Sequence, residues 1–388
     1  MHVGLFADSY LPRRSGVVQA VESASRYLRR RGHRVSIMAP ASPGYVDEDP
    51  DVYRFPSVAA PGAPDFQLAL PYSAALLRQI RGMRFDVVHS HSPFILGGLA
   101  MWVARWLRAP VVFTYHTLYA EYAHYAPVVG DLTRPLLVAY TTAYCNLSDR
   151  VLASVPSLAE RLRRYGVRAP IEIIPSVGVE PEEFANPARG DRTRAEFGIP
   201  PRAPLLVFVG RLAKEKDVPL LLDMLAVLPA EVRLLLVGEG PERAALEAHA
   251  GRLGLVGRAV FAGGQPHDRV AAVLFAADLF VFPSQTETLG LAVVEAMAAG
   301  LAVVAVRGGA SIDLVRDGDT GRLVASNAHA LAAAARDLLR DPDRRAEMGR
   351  RGREVAEGYS EDRIIDRLVA LYDVVIAEHA QAGSPHSN

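Results

Sequence analysis

Residues 278–306, DLFVFPSQTETLGLAVVEAMAAGLAVVAV, constrain this chain more than any other stretch. A short apolar run (Leu279 to Phe282), a polar turn, a helix-length segment and a second apolar run (Leu301 to Val306) predict a βαβ unit. Such a unit belongs to an open α/β sheet, and it places its helix N-terminus at the carboxyl edge, where ligands bind. The turn Pro283 to Thr288 offers side-chain caps for that helix. Backbone N–H groups at Leu289, Gly290 and Leu291 are predicted to face an anion, with Gly290 letting it come close. Glu287 precedes these amides, and Glu295 follows eight residues later. On a helix that offset is about 12 Å at about 1.5 Å per residue. Glycoside hydrolases need their two carboxylates roughly 5 to 10 Å apart. The pair suits the two ends of a long ligand instead.

The same alternation opens the chain. Val3 to Ala7 predicts a buried strand, and Asp8 to Gly16 a polar loop. Val17, Val18, Val21, Ala24 and Leu28 form the apolar face of a helix that ends at Gly32, before a strand over Val35 to Ala39. Gly16 stands at the loop-to-helix junction, where a phosphate meets backbone amides. Residues 40–70 are Pro-rich and read as irregular, with Asp47-Glu48-Asp49-Pro50-Asp51 as a solvated turn rather than a metal site. Further strands are expected over Phe85 to His89, Pro110 to Tyr115, Val151 to Ser154 and Ile171 to Pro175. His89 and His91 invite a metal, but no acidic or Cys partner stands at ligand spacing, and none is expected. His116 opens a segment to Tyr125 whose aromatic and histidine side chains predict a cleft wall or a surface for an apolar partner.

Residues 180–204, rich in Pro, Glu and Arg, read as a linker. Beyond it the pattern restarts with strands at Leu205 to Val209 and Leu234 to Val237. Gly238-Glu239-Gly240 resembles the start of a dinucleotide fingerprint, but its sixth position is Arg243, and the match is set aside. The last helix, about Ser360 to Glu378, is amphipathic, and residues 380–388 read as a disordered tail. The chain thus divides into a first domain over 1–184, onto which the last helix is free to pack back, and a second over 185–359. At 388 residues both have room for a core.

Lysine occurs only at Lys214 and Lys216, in one loop after one strand. With Arg211 it supplies fixed cations able to hold a diphosphate without a metal. The formal net charge is zero, which argues against a nucleic-acid partner. Up to residue 180 there are 19 arginines against 14 acidic residues, and after it 24 basic against 29 acidic. That modestly basic first half suits an anionic membrane surface. A single cysteine, Cys145, allows no internal disulfide and suggests a reducing compartment. With a strand from the first residues, no leader is expected. The longest apolar run, Leu289 to Val306, is broken by Glu295 and Gly300, so no membrane span is expected either. The expected location is cytoplasmic, at most peripheral on the inner face of the cell membrane.

These motifs resemble those of the retaining glycosyltransferases of family 4. The resemblance rests on Gly210-Arg211-Leu212-x-x-Glu215-Lys216, on Glu287 and Glu295 within Pro283 to Ala305, on Ser15-Gly16-Val17 and on His116. It implies the GT-B fold, two Rossmann-like doubly wound domains facing a central cleft, and a nucleotide-sugar co-substrate with no cofactor and no metal. It also implies roles. Arg211 and Lys216 bind the donor diphosphate; Glu287 and the amides of Thr288, Leu289, Gly290 and Leu291 hold the transferred sugar; Glu295 holds the ribose. Gly16 and Val17 approach the diphosphate from the first domain, and His116 contacts the sugar. The catalytic set would be His116, Arg211, Lys216 and Glu287, acting by electrostatic stabilisation of the leaving group. Leu289 stands where the family usually has Phe, Ala302 where Pro is common, and Asp313 near a usual Glu.

The segment Thr114 to Tyr125 and Glu215-Lys216-Asp217 look most like bacterial diacylglycerol glucosyltransferases. That resemblance implies UDP-glucose as donor and a lipid acceptor, diacylglycerol, contacted by Tyr119, Tyr122 and His124. The open alternatives are the same fold with GDP-mannose or another UDP-sugar and a phosphatidylinositol or soluble-sugar acceptor, a nucleotide-sugar epimerase, or a non-catalytic nucleotide-sugar binder.

Overall fold

The computed structural model describes residues 1–60, 63–119, 121, 133–184 and 190–383. It contains two compact units, Met1–Val177 with Glu361–Asn388, and Gly178–Ser360.

The first unit is built on a sheet of seven strands. They are β1 (His2–Phe6), β2 (Arg34–Pro40), β3 (Val52–Phe55), β6 (Val87–Ser90), β7 (Val111–Thr114), β8 (Arg150–Ala153) and β9 (Ile171–Ile173), counting the hairpin β4 (Ser57–Ala60) and β5 (Ala63–Ala69) between β3 and β6. Their order is β3-β2-β1-β6-β7-β8-β9, every pair parallel. The continuous apolar runs predicted this: β1, β6 and β7 are buried along their whole length. The chain leaves β1 in one direction, to β2 and β3, and returns to β6 on the other side. The carboxyl ends of β1 and β6 are therefore the topological switch point.

The described residues of the 40–70 stretch form strands and tethered turns rather than irregular chain. Arg54 makes a two-pronged contact with Asp47, 2.7 and 2.8 Å, while Arg29 meets Asp49 at 2.6 Å. These pairs convert the expected solvated turn into a tether, and β3 adds to the sheet beside β2 while β4 and β5 pair antiparallel. The last helix, Glu361–Gly383, belongs to the first unit and runs past residue 380, so part of the expected tail is helical. Its Ile364, Ile365, Leu368, Leu371, Tyr372 and Val375 join Val21, Ala24 and Leu28 of helix Gly16–Arg30 in one core. Arg31 fixes the register through Asp362 and Asp366.

The second unit carries β10 (Leu205–Val209), β11 (Arg233–Val237), β12 (Ala259–Gly263), β13 (Leu279–Phe282), β14 (Val303–Val306) and β15 (Gly321–Val324). The order β12-β11-β10-β13-β14-β15, again all parallel, puts its switch point between β10 and β13. The expected linker is partly structured here. Residues Pro181–Phe184 form a 3-10 turn, and helix Gly190–Glu196 is held by Arg194 on Asp278 at 3.0 Å.

Candidate active site

In the second unit the loops after β10 and β13 meet at the switch point. The first contains the 3-10 turn Lys214–Lys216, closed by Asp217 at φ 50°. The second contains Glu287. Lys216 Nζ forms an ion pair with Glu287 Oε1, and both side chains are largely shielded from solvent. The Ser284 hydroxyl lies 3.0 Å from the same carboxylate oxygen and 3.0 Å from the Glu215 carbonyl, which the Thr286 hydroxyl also reaches at 3.3 Å. These hydroxyls stitch one loop to the other. They do not cap the following helix, contrary to the sequence expectation.

Helix Leu291–Ala298 is entered through Gly290 at φ 71°, with no side-chain cap. A glycine at the cap has no side chain to accept from the first amides of the helix, which point back toward its start. The Glu287 turn is braced from behind by the loop after β14. Ala310 N donates to Glu287 O at 3.0 Å, and Gly309, at φ 49°, lies so close that a Cβ there would stand 2.8 Å from Glu287 N. Arg211 is exposed, and its guanidinium makes no ion pair or hydrogen bond among the described residues. A shielded Lys–Glu pair and a helix start with no side-chain cap thus stand at the switch point, with Arg211 on the same loop as Lys216.

Glu295 does not share this group. It is 5% exposed, in the buried interior of its helix, and pairs with His267 Nδ1 at 3.7 Å. Burial pushes its carboxyl up to about 7. Because Glu287 lies in the turn ahead of Leu291, only part of the eight-residue offset is helical rise.

The glycines of the discarded fingerprint have a packing explanation: a Cβ on Gly238 would fall 1.9 Å from the Gly210 carbonyl oxygen. They let the loop after β11 lie against the loop that carries Arg211.

In the first unit, Ser15 caps helix Gly16–Arg30 by accepting from Val18 N. A Cβ on Gly16 would meet nothing within 4 Å, so neither packing nor backbone strain requires glycine there. Beyond β7, His116 stacks on His91 with ring centroids 5.2 Å apart and Nε2 2.9 Å from His91 Nδ1. Burial pushes His116 down to about 3 and His91 well below its ordinary value, so both rings are neutral at physiological pH. His89, considered above beside His91 for a metal, uses Nδ1 on Tyr372 and Nε2 on Thr114. Tyr119 packs edge-on against Tyr115 and Phe94. Tyr122 and His124 lie outside the described residues.

Asp8 escaped the sequence reading. Buried at the end of β1, it accepts from Leu96 N at 2.8 Å and from Ser92 Oγ at 2.6 Å, capping a helix start 88 residues away. No local pattern signals so distant a cap. His267 and the contact of His91 with His116 escaped for the same reason.

Residues 14–182 match the family model described as Glycosyltransferase Family 4, and residues 190–355 match that for Glycosyl transferases group 1. The α-monoglucosyldiacylglycerol synthase of Streptococcus pneumoniae is 30% identical over 352 residues, 88% of this chain and 79% of that one. A GDP-mannose-dependent α-mannosyltransferase of Mycobacterium tuberculosis is 32% identical over 389 residues, 97% of both chains. The chain belongs to glycosyltransferase family 4.

For a family 4 glycosyltransferase, two parallel-sheet units are the expected architecture. The structure of HepE from Anabaena in complex with UDP-glucose superposes with a TM-score of 0.77 at 20% identity, over 96% of this chain and 99% of that one. The fold class is GT-B. Among the described residues, no helix of this glycosyltransferase is long and apolar enough to cross a membrane.

Proposed function

We propose that this glycosyltransferase moves a hexose from UDP-glucose to diacylglycerol, with retention, at the surface of a membrane. The observation that carries the donor side is the Lys216–Glu287 pair beside the uncapped helix start at Gly290. In this reading Arg211 and Lys216 take the diphosphate and stabilise the charge that builds on it as the glycosidic bond breaks. Glu287 and the amides of residues 288–291 accept and donate to the sugar hydroxyls, and Glu295 accepts from the ribose. Gly16, Val17 and His116 serve the donor and the sugar, roles that the family resemblance assigns to them. Burial that pushes His116 down to about 3 leaves it a weak base, which suits hydrogen bonding to a sugar rather than proton abstraction. No protein nucleophile is invoked; retention follows from attack on the face the leaving group vacates, and no metal or cofactor takes part.

The name of the Streptococcus pneumoniae relative supports the lipid acceptor, and UDP-glucose in the HepE structure is compatible with the donor. Full-length likeness to GDP-mannose-dependent enzymes favours a second reading, in which the same residues receive GDP-mannose. Lys216→Ala and Glu287→Ala separate chemistry from stability. Each should lower sugar transfer on the order of 100-fold, the scale of losing one transition-state contact. Melting should shift by no more than about 5 °C, since each removes about one interaction in a unit of this size. Near-normal turnover in either variant would remove the site assignment.

A further inference from the structure

We propose that His267 is a positioning residue for nucleotide binding: lodged between the carboxylates of Glu183 and Glu295, it holds Glu295 as an ionised acceptor for the ribose hydroxyls. The inference rests on the reading of Glu295 as the ribose ligand.

Three separate elements bring the cluster together. His267 is the first residue of helix His267–Phe275, which follows β12; Glu183 stands in the 3-10 turn Pro181–Phe184; Glu295 lies in helix Leu291–Ala298. The imidazole presents Nε2 to Glu183 Oε2 at 3.4 Å and Nδ1 to Glu295 Oε1 at 3.7 Å. Both ring nitrogens thus face acceptor oxygens, which suits the doubly protonated ring.

The Glu295 side chain is only 7% exposed. A carboxylate buried in this way takes up a proton unless a counter-charge stands beside it. Lys216 is committed to Glu287, and His267 is the cationic group that faces Glu295 among the described residues. Burial raises Glu295 to about 7, with His267 opposing and Glu183 adding to the rise. The Glu183 hydrogen bond raises His267 to about 9 against the effect of burial, with the charges of Glu295, Glu183 and Glu180 reinforcing it. His267 is therefore charged near neutrality, and its charge favours the ionised form of Glu295 over the protonated one. A carboxylate accepts from two vicinal hydroxyls at once; a protonated carboxyl loses part of that capacity.

The test is calorimetric titration of the full-length chain at pH 7.5 with UDP and with GDP, then with the 2′,3′-dideoxy form of whichever binds more tightly. Wild type should bind the ribonucleotide at least about tenfold more tightly than its dideoxy form. His267→Gln should lose about tenfold for the ribonucleotide and nothing for the dideoxy form. His267→Lys, which restores a cation, should return to within about threefold of wild type. A purely structural role would depress both nucleotides equally and gain nothing from Lys. Either that pattern, or a Gln variant that binds like wild type, overturns the inference and leaves the ribose reading standing. Equal binding of the two nucleotides by wild type removes the ribose reading itself, and the inference with it. The position is half-exposed at a helix start, and thermal melting of each variant accompanies the titrations.

Discussion

Lys216 and Glu295 show how burial gives two charged residues different work. Lys216 is satisfied by a carboxylate that is itself held by Ser284, so the pair is a fixed electrostatic unit. Glu295 is paired, among the described residues, with a half-exposed histidine, and its proton uptake responds to pH near neutrality. The sign of that response follows from linkage. Glu295 and His267 both hold their protons more tightly in the folded chain than in the unfolded one. Their contribution to stability is therefore fully present at acid pH. It declines as pH rises through the window from 4.5 to about 7 for Glu295, and from 6.5 to about 9 for His267. The stability difference between wild type and a His267→Gln/Glu295→Gln double variant should shrink or reverse across those windows. Denaturant midpoints at a series of pH values read it directly, and a difference independent of pH contradicts the assignment.

At the scale of elements, the loops after β10 and β13 form one assembly supported by the loop after β14. Gly309 is the tightest point of that support, and Gly309→Ala should push the Glu287 turn outward, because its φ of 49° and the 2.8 Å approach leave no room for a methyl group. We expect a loss of about 1–3 kcal/mol in stability from strain, with a drop in sugar transfer larger than that loss explains. Retained activity with reduced stability would show that the brace does not set the position of Glu287. Much of this assembly was legible in the sequence. The apolar run Leu279 to Phe282, the polar turn and Gly290 announced a strand, a loop and a helix start, because their signals are local. The role of Ser284 and Thr286 was misread for a physical reason. Helix Leu291–Ala298 starts only at Gly290, so Ser284 and Thr286 lie too far ahead of it to accept from its first amides, and their hydroxyls donate instead to the Glu215 carbonyl, 69 residues before Ser284. Residues 40–70 were misread likewise. Their acidic side chains look solvated until Arg29 arrives from helix Gly16–Arg30 and Arg54 turns back from β3 within the stretch itself.

At the scale of the whole molecule, the two units share an architecture but not a boundary in sequence, since helix Glu361–Gly383 returns to the first unit. Six of its apolar side chains close the core over helix Gly16–Arg30. Each buried side chain contributes roughly 1.5–3 kcal/mol, comparable in sum to the net stability of a domain. A chain ending at residue 360 should therefore lose the cooperative melting of its first unit while the second still melts as a unit. Differential scanning calorimetry distinguishes the two, and an unchanged thermogram contradicts this account of the core. The amphipathic pattern of that helix was plain in the sequence, but the surface it covers is set by contacts across more than 330 residues, as Arg31 with Asp366 illustrates.

The central claim is transfer of a hexose from a nucleotide sugar to a lipid. The most direct measurement is to incubate the purified protein with diacylglycerol micelles and, separately, UDP-glucose, UDP-galactose and GDP-mannose, and to identify the products by mass spectrometry and anomeric NMR. The account predicts an α-linked monohexosyl diacylglycerol formed from UDP-glucose. Nucleotide release without any glycosylated lipid, from any of the three donors, would contradict it.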